Sequence, residues 1–142
     1  MSKEKTARDR GIWQGQNGLR PEKRLAIYLR DGMACVYCGQ EVEAGVVLTL
    51  DHLTPASKGG SNSEKNLVTC CQKCNSSRGV RPVAAFIRAV AGYTGRQAND
   101  VAAHVRNCAA RSITKHKQEA KELISRRGSV ATVVQELFNT GS

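Results

Sequence analysis

The chain has 142 residues, a net charge of +10 and only 4% aromatic residues. That length suits one domain with extensions better than two full domains, and a core this poor in rings has to be built from Ala, Val, Leu and Ile. No apolar run approaches the ~18–20 residues of a membrane span, and MSKEKTARDR opens no signal peptide, so the expectation is a cytoplasmic protein without membrane contact.

The charge is unevenly spread. Residues 1–34 carry eight Lys/Arg against four Asp/Glu, residues 35–79 four against four, and residues 80–142 ten against four. Basic flanks around a neutral middle suit a polyanion, because each cation placed on a phosphate releases condensed counterions. Nucleic acid is the expected partner, ahead of acidic lipid or a merely well-solvated surface.

In chain order, residues 1–20 read as a flexible basic arm whose Trp13 packs locally or stacks on a base. Pro21 opens a helical pattern, PEKRLAIYLRDG, with Leu25, Ile27, Tyr28 and Leu29 on its apolar side and Gly32 beyond its end. CVYCG reads as a knuckle and VVLTLDHL as a β-strand rich in branched residues. ASKGGSNSEKN is loop, and CQKCNSSRG reads as a second knuckle opening a short helix that stops at Gly79. Four Ala-rich amphipathic helices are expected afterwards: RPVAAFIRAVAGY, DVAAHVRNCAARSI, KHKQEAKELISRRG and SVATVVQELF, the last capped by Ser129.

Four of the six cysteines are paired by spacing. Cys35-x2-Cys38 and Cys71-x2-Cys74 supply four thiolates in the pattern of a structural zinc site. Disulfides do not suit a chain without secretion signals. With every position filled by thiolate, such a zinc has no place for water, so its role is to clip the flanks of the strand together and to supply folding energy. Cys70 could replace Cys71, but it fits the spacing less well. Cys108 reads as a small buried hydrophobe.

Between the knuckles stands the stretch LTLDHLTPASKGGSNSEKNLV. Asp51-His52, Pro55, Gly59-Gly60, Asn62, Asn66-Leu67, Cys74-Asn75 and Arg78-Gly79 together resemble the HNH endonuclease family over residues 35–79. The resemblance implies an α+β fold: a small zinc-stapled ββα-metal core at residues 21–80, preceded by the arm at 1–20 and followed by a basic helical extension at 81–142. It implies His52 as general base and Asp51 with Asn75 as ligands of a catalytic Mg²⁺ or Mn²⁺. It also implies that Asn66 orients the loop that carries His52. Asn62 competes for that middle position, but Asn66 has the Leu-Val that usually follows. The last letter of the motif is Asn rather than His, an oxygen donor suited to hard cations.

These residue types meet the demands of phosphodiester hydrolysis. The reaction needs a nucleophile made from water, a counter-charge for the transition state and help for the leaving oxygen. Imidazole, with an ordinary pKa of ~6.5, is largely neutral at pH 7 and can accept a proton, while a hard cation on oxygen ligands supplies the counter-charge. Arg78 reads either as a phosphate contact or as a surface arginine at a helix end. Lys58 could touch a DNA backbone, and His104 and His116 read as non-catalytic.

The expected activity is metal-dependent hydrolysis of DNA, double-stranded by expectation, leaving 5′-phosphate and 3′-hydroxyl ends. A homodimer or a larger DNA-processing complex is compatible with it. The rival is a non-catalytic zinc-ribbon DNA-binding or adaptor protein, which gives no reason for Asp51, His52 and Asn75 to occur together. Small stand-alone proteins of this kind are frequent in phages and mobile elements. The basic helical extension could bind DNA, dimerise, or cover the back of the ββα unit.

Overall fold

The computed structural model describes residues 19–141, with side chains as far as Leu137; Trp13 and residues 1–18 of the expected arm lie outside the described residues. Helix α1 spans Pro21–Arg30, strands β1 and β2 span Leu48–His52 and Leu67–Cys71, and α2 spans Gln72–Arg78. Then come α3 (Val83–Thr94), α4 (Ala98–Ala110), α5 (Thr114–Arg127) and α6 (Val130–Gly141). The fold is α+β, and β1, β2 and α2 form its ββα unit.

Local chemistry accounts for the punctuation. Pro21 starts α1, where a missing N–H costs nothing, and Gly32 leaves it at φ +81°, a conformation most residues resist. Cys71 caps α2 by accepting the Cys74 amide at 3.4 Å on its sulfur. Ser129 caps α6 by accepting the Thr132 amide at 3.1 Å.

The two strands pair antiparallel, with Asp51 opposite Val68 and His52 opposite Leu67. Every residue of β2 is buried, so the strand is covered on both faces. Alternation sorts its side chains: Val68 and Cys70 join one apolar cluster, and Leu67 joins the other. The first cluster contains Cys35, Val36 and Tyr37 of the knuckle together with Phe86, Ile87 and Val90 of α3 and Val101, Val105 and Cys108 of α4. The second contains Leu25, Ala26, Ile27 and Tyr28 of α1, Leu50 of β1, Ala120 of α5 and Val133 of α6. The helices beyond residue 80 therefore complete both clusters, and α5 packs along α1.

A buried ion pair fastens α1 to β2. Arg30 Nε donates to Asp31 Oδ1 at 2.7 Å, and both side chains are fully enclosed. Asp31 Oδ2 accepts the Thr69 amide at 2.8 Å, while Arg30 donates to the carbonyls of Glu64 (2.8 Å) and Leu67 (2.7 Å). Each polar group is thus satisfied, as burial requires.

Candidate active site and metal knuckle

The cysteine knuckle hangs on the sheet. Val36 donates its amide to the Thr69 carbonyl at 3.0 Å, and Gly39, at φ +83°, lets its own amide fold back onto the Cys35 carbonyl at 2.9 Å. This places Cys35 and Cys38 against Cys71 and Cys74, and the four sulfurs all lie within 4.8 Å of one another. A tetrahedral Zn–S length of ~2.3 Å sets sulfurs about 3.8 Å apart, and the Cys38 and Cys71 sulfurs are 3.8 Å apart. Electrostatics point the same way. Hydrogen bonds from Cys70 and Cys74 favour the thiolate of Cys35, which in turn raises the Cys74 thiol; burial pushes Cys38 up to about 11. Such crowded sulfurs cannot all ionise without a dication among them, so the donor set fits zinc. Cys70 stands outside the quartet. Cys108 is buried in the first cluster.

At the opposite end of the sheet, β1 delivers Asp51 and His52 and α2 delivers Asn75 and Arg78 to one cleft of about 180 Å³. Pro55, Ala56, Leu50 and Gly79 complete its wall. Side chains adjacent along a strand ordinarily diverge; here the helix following β2 crosses the strand end and closes the cleft over both of them.

Asp51 is held by one oxygen. Its Oδ2 accepts the Tyr37 hydroxyl and the Arg78 Nη1, each at 2.6 Å. Burial first, and the adjacent Asp51 carboxylate second, keep Tyr37 protonated well above the usual phenol range. Oδ1 has no hydrogen-bond partner among the described residues. Nor is it sealed in, since His116 Nδ1 is the one fully buried side-chain N or O atom among them that lacks a partner. Asp51 and Asn75 both line this cleft, and each carries a side-chain oxygen of the kind a hard cation takes. One carboxylate oxygen plus an amide, with the remaining positions left to water and phosphate, fits Mg²⁺ or Mn²⁺.

Arg78 is not a surface residue. Only 5% exposed, it donates through Nε to the Arg81 carbonyl at 2.9 Å and through Nη1 to the His52 carbonyl at 2.9 Å, and Nη2 reaches the Leu53 carbonyl at 3.3 Å. It braces α2 against the end of β1.

Two asparagines divide the work around the loop. Asn66 Oδ1 accepts the Thr54 amide at 2.8 Å, and its Nδ2 donates to the carbonyls of Thr54 (3.0 Å) and Ser61 (2.8 Å), which closes residues 54–61. Asn62 touches the histidine itself: its Oδ1 lies 2.8 Å from His52 Nε2. With that amide oxygen as acceptor, Nε2 is the donor of the pair, which leaves Nδ1 as the ring nitrogen not engaged by Asn62. Lys23 of α1 secures Asn62 by donating to its carbonyl at 2.6 Å. Gly60 permits the closure, since a Cβ there would sit 1.7 Å from the Thr54 carbonyl oxygen. Lys58 is exposed on the same loop, and neither His104 nor His116 lines the cleft.

A comparison with known families matches residues 35–90 to the HNH endonuclease model. Residues 35–90 thus match an HNH endonuclease domain. Among curated proteins, it is 38% identical over 64 residues to the CRISPR-associated endonuclease Cas9 of Actinomyces naeslundii, and 35% identical over 60 residues to that of Corynebacterium diphtheriae. These matches take in 44% and 42% of this chain but only 6% and 5% of those proteins. No solved structure matches significantly.

Sequence reasoning passed over three contacts around the cleft: Tyr37 on Asp51, the Arg30–Asp31 pair behind the loop, and the Lys23 bond to Asn62, a residue weighed only for the middle position of the motif. A lone aromatic inside a cysteine knuckle, in a chain so short of aromatics, was the available signal for Tyr37. The other two carried none, because their partners lie more than 30 residues away.

Proposed function

We propose that this chain is a metal-dependent HNH endonuclease that hydrolyses DNA phosphodiester bonds to leave 5′-phosphate and 3′-hydroxyl ends. The observation that carries the reading is the convergence of Asp51, His52 and Asn75 on one open cleft. His52 acts as general base: Asn62 holds its Nε2, and Nδ1 takes the proton of the attacking water. Asp51, through Oδ1, and the Asn75 side chain would hold Mg²⁺ or Mn²⁺. When bound there, the cation supplies counter-charge to the scissile phosphate and the departing 3′-oxygen. Arg78 and Asn66 are positioning residues, one aligning Asp51 and the strand end, the other shaping the His52 loop. Zinc in the four-cysteine knuckle is structural.

The substrate reading rests on the net charge of +10 as well as on the family. A non-catalytic zinc ribbon would explain the cysteines and the charge but not an asparagine-oriented histidine beside a half-free carboxylate.

The test is a plasmid-nicking assay on zinc-loaded protein with Mg²⁺ or Mn²⁺, with excess EDTA, and with His52→Ala in parallel. Cleavage that needs both the cation and His52 is expected. Retained cleavage by His52→Ala would remove the histidine from the mechanism, and tight DNA binding without cleavage under either metal would favour the binding module.

A further inference from the structure

Tyr37 lies between two of the four knuckle cysteines, Cys35 and Cys38, yet its hydroxyl reaches the Asp51 carboxylate at the other end of β1. Its ring is fully buried and meets Phe86 edge to face, with centroids 5.1 Å apart. Its carbonyl accepts from Arg96 of the α3–α4 turn. The ring therefore has no freedom to withdraw, and its hydroxyl spends its single proton on Asp51 Oδ2 at 2.6 Å.

Arg78 donates to that same oxygen, also at 2.6 Å. Two charge-assisted bonds on one oxygen fix the carboxylate's rotation and draw its charge away from the cleft. The other oxygen is left to serve the cation alone. A carboxylate so divided is a one-oxygen ligand of reduced basicity, which favours a cation that completes its shell with substrate phosphate rather than one held tightly by the protein alone.

We propose that Tyr37 is a positioning residue that makes Asp51 a one-oxygen, weakened ligand and so ties occupancy of the catalytic cation site to the presence of DNA. The inference rests on the functional reading above, in which Asp51 binds the cation. It also makes the zinc knuckle more than a staple, because the segment ordered by Cys35 and Cys38 supplies the donor that sets the carboxylate.

The experiment is a Mn²⁺ titration followed by electron paramagnetic resonance. Zinc-loaded protein carrying His52→Ala, so that DNA is not consumed, is titrated with and without a short duplex. In the Tyr37-containing protein, Mn²⁺ affinity should rise at least about tenfold when the duplex is added. Tyr37→Phe, which removes only the hydroxyl, should bind Mn²⁺ without DNA about three- to tenfold more tightly, and the gain on adding DNA should shrink, as loss of one charge-assisted bond implies. In the His52 background, Tyr37→Phe should lower the cleavage rate at saturating Mn²⁺, because the carboxylate is free to turn.

Phe86→Leu controls for packing: it disturbs the ring contact but keeps the hydroxyl, and should lower the melting temperature with no change in Mn²⁺ affinity. If Tyr37→Phe loses zinc or its cooperative melt, protein labelled with 3-fluorotyrosine replaces it. The fluorinated phenol is a stronger donor and should weaken Mn²⁺ binding in the absence of DNA. Wild-type-like Mn²⁺ affinity in Tyr37→Phe, or in the fluorinated protein where that is used, overturns the inference. Asp51→Asn separates the two levels. If it binds Mn²⁺ as its parent does, or if the parent shows no site with or without DNA, the functional reading fails and the inference with it; if it loses the site while Tyr37→Phe is unaltered, only the inference fails.

Discussion

Asp31→Ala offers the sharpest test of how α1 is fastened to β2. The substitution leaves the Arg30 guanidinium enclosed with no counter-charge and strips the Thr69 amide of its acceptor. Breaking a buried pair by removing one partner costs about 3–5 kcal/mol, a large share of the ~5–15 kcal/mol that keeps a domain folded. The melting temperature should therefore fall by about 10–20 °C. Arg30→Met should cost a similar amount, because it strands the carboxylate and also releases the Glu64 and Leu67 carbonyls on either side of Asn66. The double variant should be little worse than either single one, giving a coupling of about 2 kcal/mol or more. Urea denaturation of the zinc-loaded proteins measures all four corners of this cycle. Additive losses, with coupling below about 0.5 kcal/mol, would refute the argument that the two side chains stabilise the fold as a unit.

Four other perturbations test the loop, the knuckle and the two clusters. Gly60→Ala places a methyl group 1.7 Å from the Thr54 carbonyl oxygen, so the loop must open; cleavage should drop by at least about tenfold for a stability loss of about 1–3 kcal/mol, read from nicking rates beside thermal melts. Asn66→Ala removes three loop hydrogen bonds and should lower kcat more than it raises KM, with a net loss of about 1–3 kcal/mol in stability. Zinc withdrawal should unfold the knuckle and its attached strand; because protons compete for thiolates, release should come more easily as pH falls, followed with a chromogenic zinc chelator and circular dichroism. Deleting residues 96–142 should abolish cooperative folding: it removes Val101, Val105, Cys108, Ala120 and Val133 from the two clusters, and each of the valines alone contributes about 1.5–3 kcal/mol.

Much of the candidate site could be read along the chain because its members come in short-range groups. Asp51 and His52 are adjacent, Asn75 and Arg78 share one helical turn, and the knuckles declare themselves by spacing. Helix starts and stops at Pro21, Gly32, Gly79 and Ser129 were equally legible, since capping and left-handed backbone are local chemistry. The strand was read somewhat long: its ordered ladder runs only from Leu48 to His52, where pairing with β2 begins and ends.

Arg78 shows where local reading stops. Nothing in CNSSRG says whether that arginine faces solvent, phosphate or protein. Its burial follows from α2 crossing the end of β1, which brings the Asp51 carboxylate and the carbonyls of His52 and Leu53 within its reach. Tyr37 likewise gains its role only when the knuckle is laid on the sheet, and Asn62 only when the loop folds back to His52.

Residue types, spacing and backbone punctuation thus determined by themselves the four-cysteine set, the elements and the residue types that line the cleft, because each depends on neighbours within a few residues. Tertiary structure alone decided which carboxylate oxygen stays free, which asparagine meets the histidine, and that the C-terminal helices wall the core. Those outcomes depend on hydrogen bonds and packing between segments far apart in the chain, formed only once burial has removed water as the competing partner.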